Sequence, residues 1–351
     1  MKQTIVLAAL LGGAHLVTGQ NNPYQIADSV KQHLDQSLAL LRQHALQRDQ
    51  VDWAQLQAAV YEKARGAQSV QATLPVYPYL FEQLRDSHGW FSYKGRSYGW
   101  SPARAPYTNA AVKAALKQKP GVRVRVLDGR YGYVRVPSMQ IRSLEDVQRQ
   151  AQALRDSLCR VQPRRLRGWI IDLRLNDGGA MHPMLAGLAP LIGDGLLGGF
   201  VDPSGKPTEQ WRLRGGDLYV DTMRFSRLGP ATCPMPRKPQ PVAVLLSGRT
   251  ASAGEVVAIS LKGRPGTRFF GEPSYGATTA NEGFELSAQS GLSIATQREI
   301  DRTGTLYQEQ VLPDEPIDGG DNFIDLNQDA KVRAALQWLR KAKVRPSRPK
   351  A

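Results

Sequence analysis

The sequence predicts an α/β protein, with helices packed on a sheet and a small helical region ahead of that core. Three observations carry this. The run Trp169 to Arg174 reads as a buried strand that ends in a glycine turn. The run Val242 to Leu246 is continuously apolar, as expected of a strand covered on both faces, and leads directly into a helical stretch from Ala253 to Leu261. Ahead of both, Ala27 to Leu46 repeats apolar residues at three- and four-residue spacing, the period of an amphipathic helix.

Taken in order, residues 1–19 read as a signal peptide. Lys2 supplies a short positive region, Ile5 to Val17 an apolar stretch, and Val17 and Gly19 are small enough for cleavage before Gln20. Residues 20–91 form the expected helical domain, with a second amphipathic stretch opening at Val51-Asp-Trp53 and running through Ala64. Residues 92–121 are polar and broken by Gly95, Pro102, Pro106 and Gly121, the texture of a connector with one short helix at Ala110 to Lys117. The main core is expected over 122–339. There Val122 to Val126 and Gly132 to Pro137 read as alternating strands, Ser143 to Cys159 as a helix, and Met184 to Leu191 as another. Residues 340–351 carry Arg340, Lys341, Lys343, Arg345, Arg348 and Lys350 beside Pro346 and Pro349, a solvated basic tail.

The net charge of +15 raises nucleic acid as a partner, but no recognition helix or aromatic-basic strand accompanies it. For an exported chain it suits a bland basic surface or weak attraction to an anionic envelope surface. No apolar run after the leader is long enough to span a bilayer. The two cysteines, Cys159 and Cys233, form either a disulfide, which an oxidising compartment permits, or two isolated thiols. Neither they nor the histidines His15, His33, His44, His88 and His182 show metal-ligand spacing, so no metal and no cofactor is expected.

The chemistry concentrates at Leu246-Ser-Gly-Arg-Thr-Ala-Ser252-Ala-Gly-Glu255. A serine in the first turn of a helix lies in the positive end of the helix dipole, beside backbone amides that the helix leaves free. Thr250 or Ser252 could equally serve as a plain N-cap. A second turn, Asp172-Leu-Arg-Leu-Asn-Asp-Gly-Gly179, ends the preceding buried strand. Its adjacent glycines let the backbone approach a ligand and point amides at it.

These two segments, with Gly271-Glu-Pro-Ser-Tyr-Gly276 and Pro313-Asp314, resemble in order and spacing the tail-specific (C-terminal-processing) protease family over roughly residues 130–317. The helical stretch Val51 to Phe91 is similar to the N-terminal part of its tricorn-core-like branch. The resemblance implies a crotonase-like ββα core and a serine peptidase acting on peptides or protein tails. It makes Ser252 the nucleophile and assigns the oxyanion hole to the amide of Ala253 with one from Gly178 or Gly179.

The resemblance also exposes a departure. Ser/Lys members place their base directly after the turn matching Gly271 to Gly276, where this chain has Ala277, and no PDZ-like insert precedes Val122. A neutral hydroxyl needs a base. Asp86-Ser-His88 resembles the Asp-x-His step of the Ser/His/Glu branch, and imidazole suits base work near neutrality. Tyr307-Gln-Glu-Gln-Val-Leu-Pro-Asp314 resembles that branch's Glu-Gly-Val-x-Pro-Asp step, so the resemblance implies a triad of His88, Ser252 and, as the acid orienting the imidazole, Glu309. Asp301 and Glu282 are rival acids and His182 a rival base. Ser87 is a supporting candidate, while Asp172, Arg174 and Asn176 are expected to tie the glycine turn to the core. Trp90, Phe91 and Tyr93 belong either to a substrate cleft or to the core. Two further readings remain: a silent peptide-binding protein of the same fold, and an acyl-thioester enzyme of the crotonase type.

Overall fold

A computed structural model describes residues 25–102, 109–228, 233–234 and 239–342. The expected leader and most of the basic tail lie outside them.

Three helices open the described chain: α1 (Asp28–His44), α2 (Trp53–Lys63) and α3 (Val76–Gln83). Helix α1 buries Val30, Leu34, Leu38 and Leu41, the stripe its periodicity announced. Asp52 caps α2 by accepting from the amides of Ala54 and Gln55. The segment expected to be a connector holds more than a helix. Trp90–Tyr93 (β1) and Arg96–Gly99 (β2) form a hairpin ahead of α4 (Ala110–Lys117). Phe91 is fully buried and stacks on Tyr77 at 3.6 Å, so it belongs to the core of the helical unit. That core extends onto Leu292 and Ile294 of a strand far along the chain.

The main core follows as β3 (Arg123–Leu127), β4 (Tyr131–Arg135), α5 (Leu144–Cys159), β5 (Gly168–Asp172), α6 (Met181–Gly187) and α7 (Ala189–Ile192). The helix expected over Met184 to Leu191 begins earlier, at Met181, and breaks at Leu188 into α6 and α7. Strands β6 (Gly195–Val201), β7 (Pro207–Arg214), β8 (Asp217–Val220) and β9 (Met223–Arg224) precede β10 (Val242–Leu246), α8 (Ala253–Leu261) and β11 (Thr267–Gly271). The chain ends in β12 (Thr279–Ser287), β13 (Ser290–Asp301), β14 (Leu306–Tyr307), β15 (Glu315–Pro316) and α9 (Ala330–Lys341).

Two sheets result. One runs β15-β11-β10-β5-β4-β3, parallel except for β3, with β5 and β10 buried on both faces. Every residue of α8 is buried as well, so the helix that starts at Ser252 is held on all sides. The other sheet runs β2-β1-β13-β6-β7-β8-β9, with β12 and β14 also paired to β13. Strand β13 therefore joins the helical unit to the main core. Cys159 and Cys233 are joined in a disulfide. Helix α9 reaches Lys341, and Arg340, expected in the solvated tail, pairs with Asp128 at 2.5 Å.

Candidate active site

The β10–α8 turn places Ser252 at the N-terminus of α8 with φ +51° and ψ −122°. A non-glycine residue in that region carries strain of about 1–3 kcal/mol, which only a rigid surround sustains. The surround is dense. Thr250 Oγ1 donates to the Leu173 carbonyl at 2.9 Å and accepts from the Ser247 amide, while Ser247 Oγ donates to the Arg174 carbonyl. The Ala251 amide donates to the Asn176 carbonyl. Thr250 therefore ties the serine turn to the end of β5 and does not cap α8.

The glycine turn lies against the serine. A Cβ on Gly178 would stand 3.1 Å from Ser252 Cβ, and one on Gly179 would collide with the Met139 carbonyl at 2.1 Å. Both glycines have positive φ. Asn176 braces the turn: its amide group donates to the carbonyls of Val136 and Pro137, and its Oδ1 accepts from the Gly178 amide at 3.1 Å. Gly178 is thereby removed from the expected oxyanion donors, because its amide is already committed. Among the described residues, neither the Ala253 amide nor the Gly179 amide donates to an acceptor.

Beneath the turn lies a buried ion cluster. Arg174 makes a two-point contact with Asp172 at 2.9 and 2.6 Å and also reaches Asp321 at 2.5 Å and Asp329 at 2.7 Å. Lys331 bridges Asp321 and Glu272. Burial pushes the Asp172 carboxyl up, but the opposing Arg174 charge and the donors around it bring it below the usual carboxylate range. The cluster fastens the glycine turn to α9.

His88 reaches the same place from the helical unit. A cavity of about 1030 Å³ is lined by Ser252, Ala253, Gly179, His88, Thr279 and Trp90, among others. The His88 loop is pinned by Asp86, whose carboxylate accepts from the amides of His88, Gly89 and Ala295. Asn281 of β12 donates to the His88 carbonyl at 2.7 Å. Burial of the imidazole pushes its pKa down to about 4, so it is neutral at pH 7.

The orienting partner differs from the expected acid. His88 Nδ1 lies 2.8 Å from Thr279 Oγ1. Glu309 is exposed and lines a neighbouring cavity with His88 and Ser87, while its carbonyl accepts from Thr278 Oγ1. The physical reason is the path of the chain. Val311 and Gln310 are drawn onto Ser274, which leaves the Glu309 side chain outward. Of the rivals, Asp301 is used in its own turn by Thr303, Thr305 and Tyr307. Glu282 lines the cavity and accepts from Thr296. His182 also lines it, stacked on Phe225 at 4.4 Å, with burial pushing its pKa down to about 4. Ala277, standing where a lysine base would be, is buried.

Two further residues escaped the sequence reading. Glu255, buried three positions after Ser252, accepts from the amides of Ser252, Gly276 and Ala277 and from Ser274 Oγ. Burial raises its pKa to about 7 despite those donors. The spacing Ser252-x-x-Glu255 is a capping-box pattern and was the available signal. Glu299 of β13, also in the cavity wall, has neither carboxyl oxygen hydrogen-bonded, and burial with Glu255 nearby pushes its pKa well above the usual range. Nothing local in the sequence marks it.

Residues 130–317 match Peptidase family S41. The chain belongs to that family. It is 32% identical over 177 residues to the nisin-resistance protein of Lactococcus lactis subsp. lactis, covering 49% of this chain and 50% of that protein. It is 27% identical over 198 residues to a carboxy-terminal-processing protease of Bartonella bacilliformis, covering 56% of this chain and 40% of that one. It thus spans half or less of the length of these curated relatives. Among solved structures, a lipoprotein from Streptococcus agalactiae superposes with a TM-score of 0.64 at 21% identity, over 91% of this chain and 99% of that one. The photosystem II D1 C-terminal processing protease does so with a TM-score of 0.52 at 15% identity, over 83% and 94%. At those identities the likeness is one of fold. Family membership groups the chain with peptidases. Among the described residues no helix is long and apolar enough to cross a membrane.

Proposed function

We propose that the protein is an exported serine endopeptidase of the Ser/His branch, cleaving peptides or protein tails through an acyl-enzyme on Ser252. The observation that carries this is the joint presence, in one cavity, of a serine held at positive φ on a helix start and a neutral imidazole anchored at Nδ1.

In this reading Nδ1–H of His88 donates to Thr279 Oγ1, which leaves Nε2 as the acceptor for the Ser252 proton. Ser252 Oγ bonds to the scissile carbonyl carbon, and the π pair moves onto oxygen. The amides of Ala253 and Gly179 receive that oxyanion, aided by the α8 dipole. Collapse breaks the C–N bond, and the leaving amine takes the proton from His88. Water then hydrolyses the ester by the same path in reverse. Glu255 is a positioning residue: by holding the Ser252 amide it fixes the backbone that carries Oγ. Glu309 contributes no orienting bond. The extended substrate adds to the edge of β12, whose residues Thr279 to Glu282 line the cavity.

The names of the relatives, a nisin-resistance protein and a carboxy-terminal-processing protease, support peptides and protein ends as the substrate class. The Cys159–Cys233 disulfide supports export to an oxidising compartment, periplasmic or extracellular.

The test is intact-mass analysis after treatment with a fluorophosphonate. One adduct on the wild type, absent from Ser252→Ala and strongly slowed in His88→Ala, is expected. A folded wild type that takes no label would favour the peptide-binding reading, and a label retained by Ser252→Ala would move the nucleophile elsewhere.

A further inference from the structure

One wall of the cavity is built by three neighbouring strands. Their register aligns Glu299 of β13 with Phe200 of β6, and Phe200 with Glu209 of β7. Directly opposed residues of antiparallel strands project to the same face, and all three line the cavity. The result is a row of carboxyl, phenyl and carboxyl across three strands, spaced by roughly 5 Å from one strand to the next.

The members of the row differ in how they are held. Glu209 accepts from Trp211 Nε1 at 2.7 Å, and Phe200 packs edge-on against Trp211 with ring centres 4.7 Å apart. Glu299 is 1% exposed, and both its oxygens lack a hydrogen-bond partner. Leaving a buried carboxyl unsatisfied costs about 1–3 kcal/mol, so such a group calls for an explanation. An incoming donor would supply one.

The charge around the row is mainly negative. Asp177, Glu209 and Glu282 line the cavity against Arg249, Glu299 holds its proton, and Asp177 and Arg249 already face each other at 3.4 Å. Among the described residues no other lysine or arginine lines the cavity, and the histidines of the wall, His88 and His182, are neutral at pH 7. A cavity of this sign in a chain of net charge +15 is a local reversal.

We infer that the Glu299–Phe200–Glu209 row is a specificity pocket for a lysine or arginine side chain of the substrate, close to the scissile bond. The aliphatic stem packs on the Phe200 ring, which also attracts the cation, and the charged end donates to the carboxyls. Binding draws a proton off Glu299 as the cation arrives. The inference rests on the peptidase reading for its position beside Ser252.

The experiment uses fluorogenic peptides identical except for one residue, set to lysine, arginine, norleucine or glutamate at each position flanking the cleaved bond. At one position lysine or arginine is expected to raise kcat/KM over norleucine by roughly tenfold or more, with glutamate the poorest. Glu299→Gln and Glu209→Gln, checked by circular dichroism, each shrink the lysine-to-norleucine ratio, and the double variant brings it near one. An enzyme that labels at Ser252 and cleaves, yet treats lysine and norleucine within twofold at every position, overturns the inference and leaves the peptidase reading intact. So does a ratio that survives both substitutions. If no peptide is cleaved, affinity of the same peptides for Ser252→Ala, with and without Glu299→Gln, decides it by the same ratio, and equal binding overturns it.

Discussion

Two sets of buried charge lie around the turns that carry Ser252, and they are built on opposite plans. Below the glycine turn, Asp172, Asp321 and Asp329 surround Arg174, while Lys331 neutralises Glu272 and shares Asp321. Every charge there has a countercharge, and the carboxyls of Asp172 and Glu272 lie below their ordinary range. On the other side, burial raises both Glu255 of α8 and Glu299, and the charge of Glu255 adds to the rise at Glu299. The first set acts as a rivet joining β5 to α9. In the second, Glu255 has its four donors, while Glu299 has none and is left in an unfavourable state that a ligand can relieve. Balance gives rigidity, and imbalance beside a cavity gives a responsive surface.

The largest effect expected from this contrast is on the rivet. Arg174→Met leaves Asp172 and Asp329 buried without a countercharge and should cost about 3–5 kcal/mol, read as a lower Tm or denaturant midpoint. A change within 1 kcal/mol would mean that the cluster is not holding α9 to the turn. The unbalanced set should respond with the opposite sign. Glu299 binds its proton in the folded state at pH values where the unfolded chain has released it, so stability falls as pH rises above about 4.5. Glu299→Gln removes that loss and should raise Tm relative to the wild type at pH 8. The gain should vanish near pH 4, and equal Tm shifts at both pH values would contradict it.

The histidine side sharpens the comparison further. With His88 pushed down to about 4, kcat/KM should fall only as pH drops through about 4, where the imidazole protonates. An acid limb near 6.5 would show an imbalance smaller than burial implies. A smaller effect belongs to Thr279→Val, which removes the acceptor at Nδ1. A drop of roughly tenfold in kcat with little change in KM is expected from the lost tautomer preference. Glu309→Gln should leave the rate within twofold, since no bond joins Glu309 to the imidazole.

Much of this was legible before any coordinates. The strand Val242 to Leu246 and the helix Ala253 to Leu261 appear where apolar continuity placed them, because a parallel strand buried on both faces tolerates little else. The helix expected from Ser143 to Cys159 appears as α5, with Ser143 as its N-cap. The hairpin at Trp90 to Gly99 was missed because its polar, glycine-broken composition suits a loop, and it becomes a strand pair only by docking on β13. Glu309 was chosen on a local pattern, but Gln310 and Val311 are anchored to Ser274 and turn its side chain outward.

The sequence by itself determined the local chemistry: a serine opening a helix, two glycines able to take positive φ, and a histidine on an Asp-anchored turn. Those features depend on residue type and on neighbours within four positions, which the order of the chain states directly. The tertiary structure decided what no short-range pattern encodes. It chose Thr279 over Glu309 for His88, committed the Gly178 amide to Asn176, and aligned residues 200, 209 and 299 in one row. Partners of that kind are selected by sheet register between distant strands, which is set by how whole faces pack and not by any single stretch of residues.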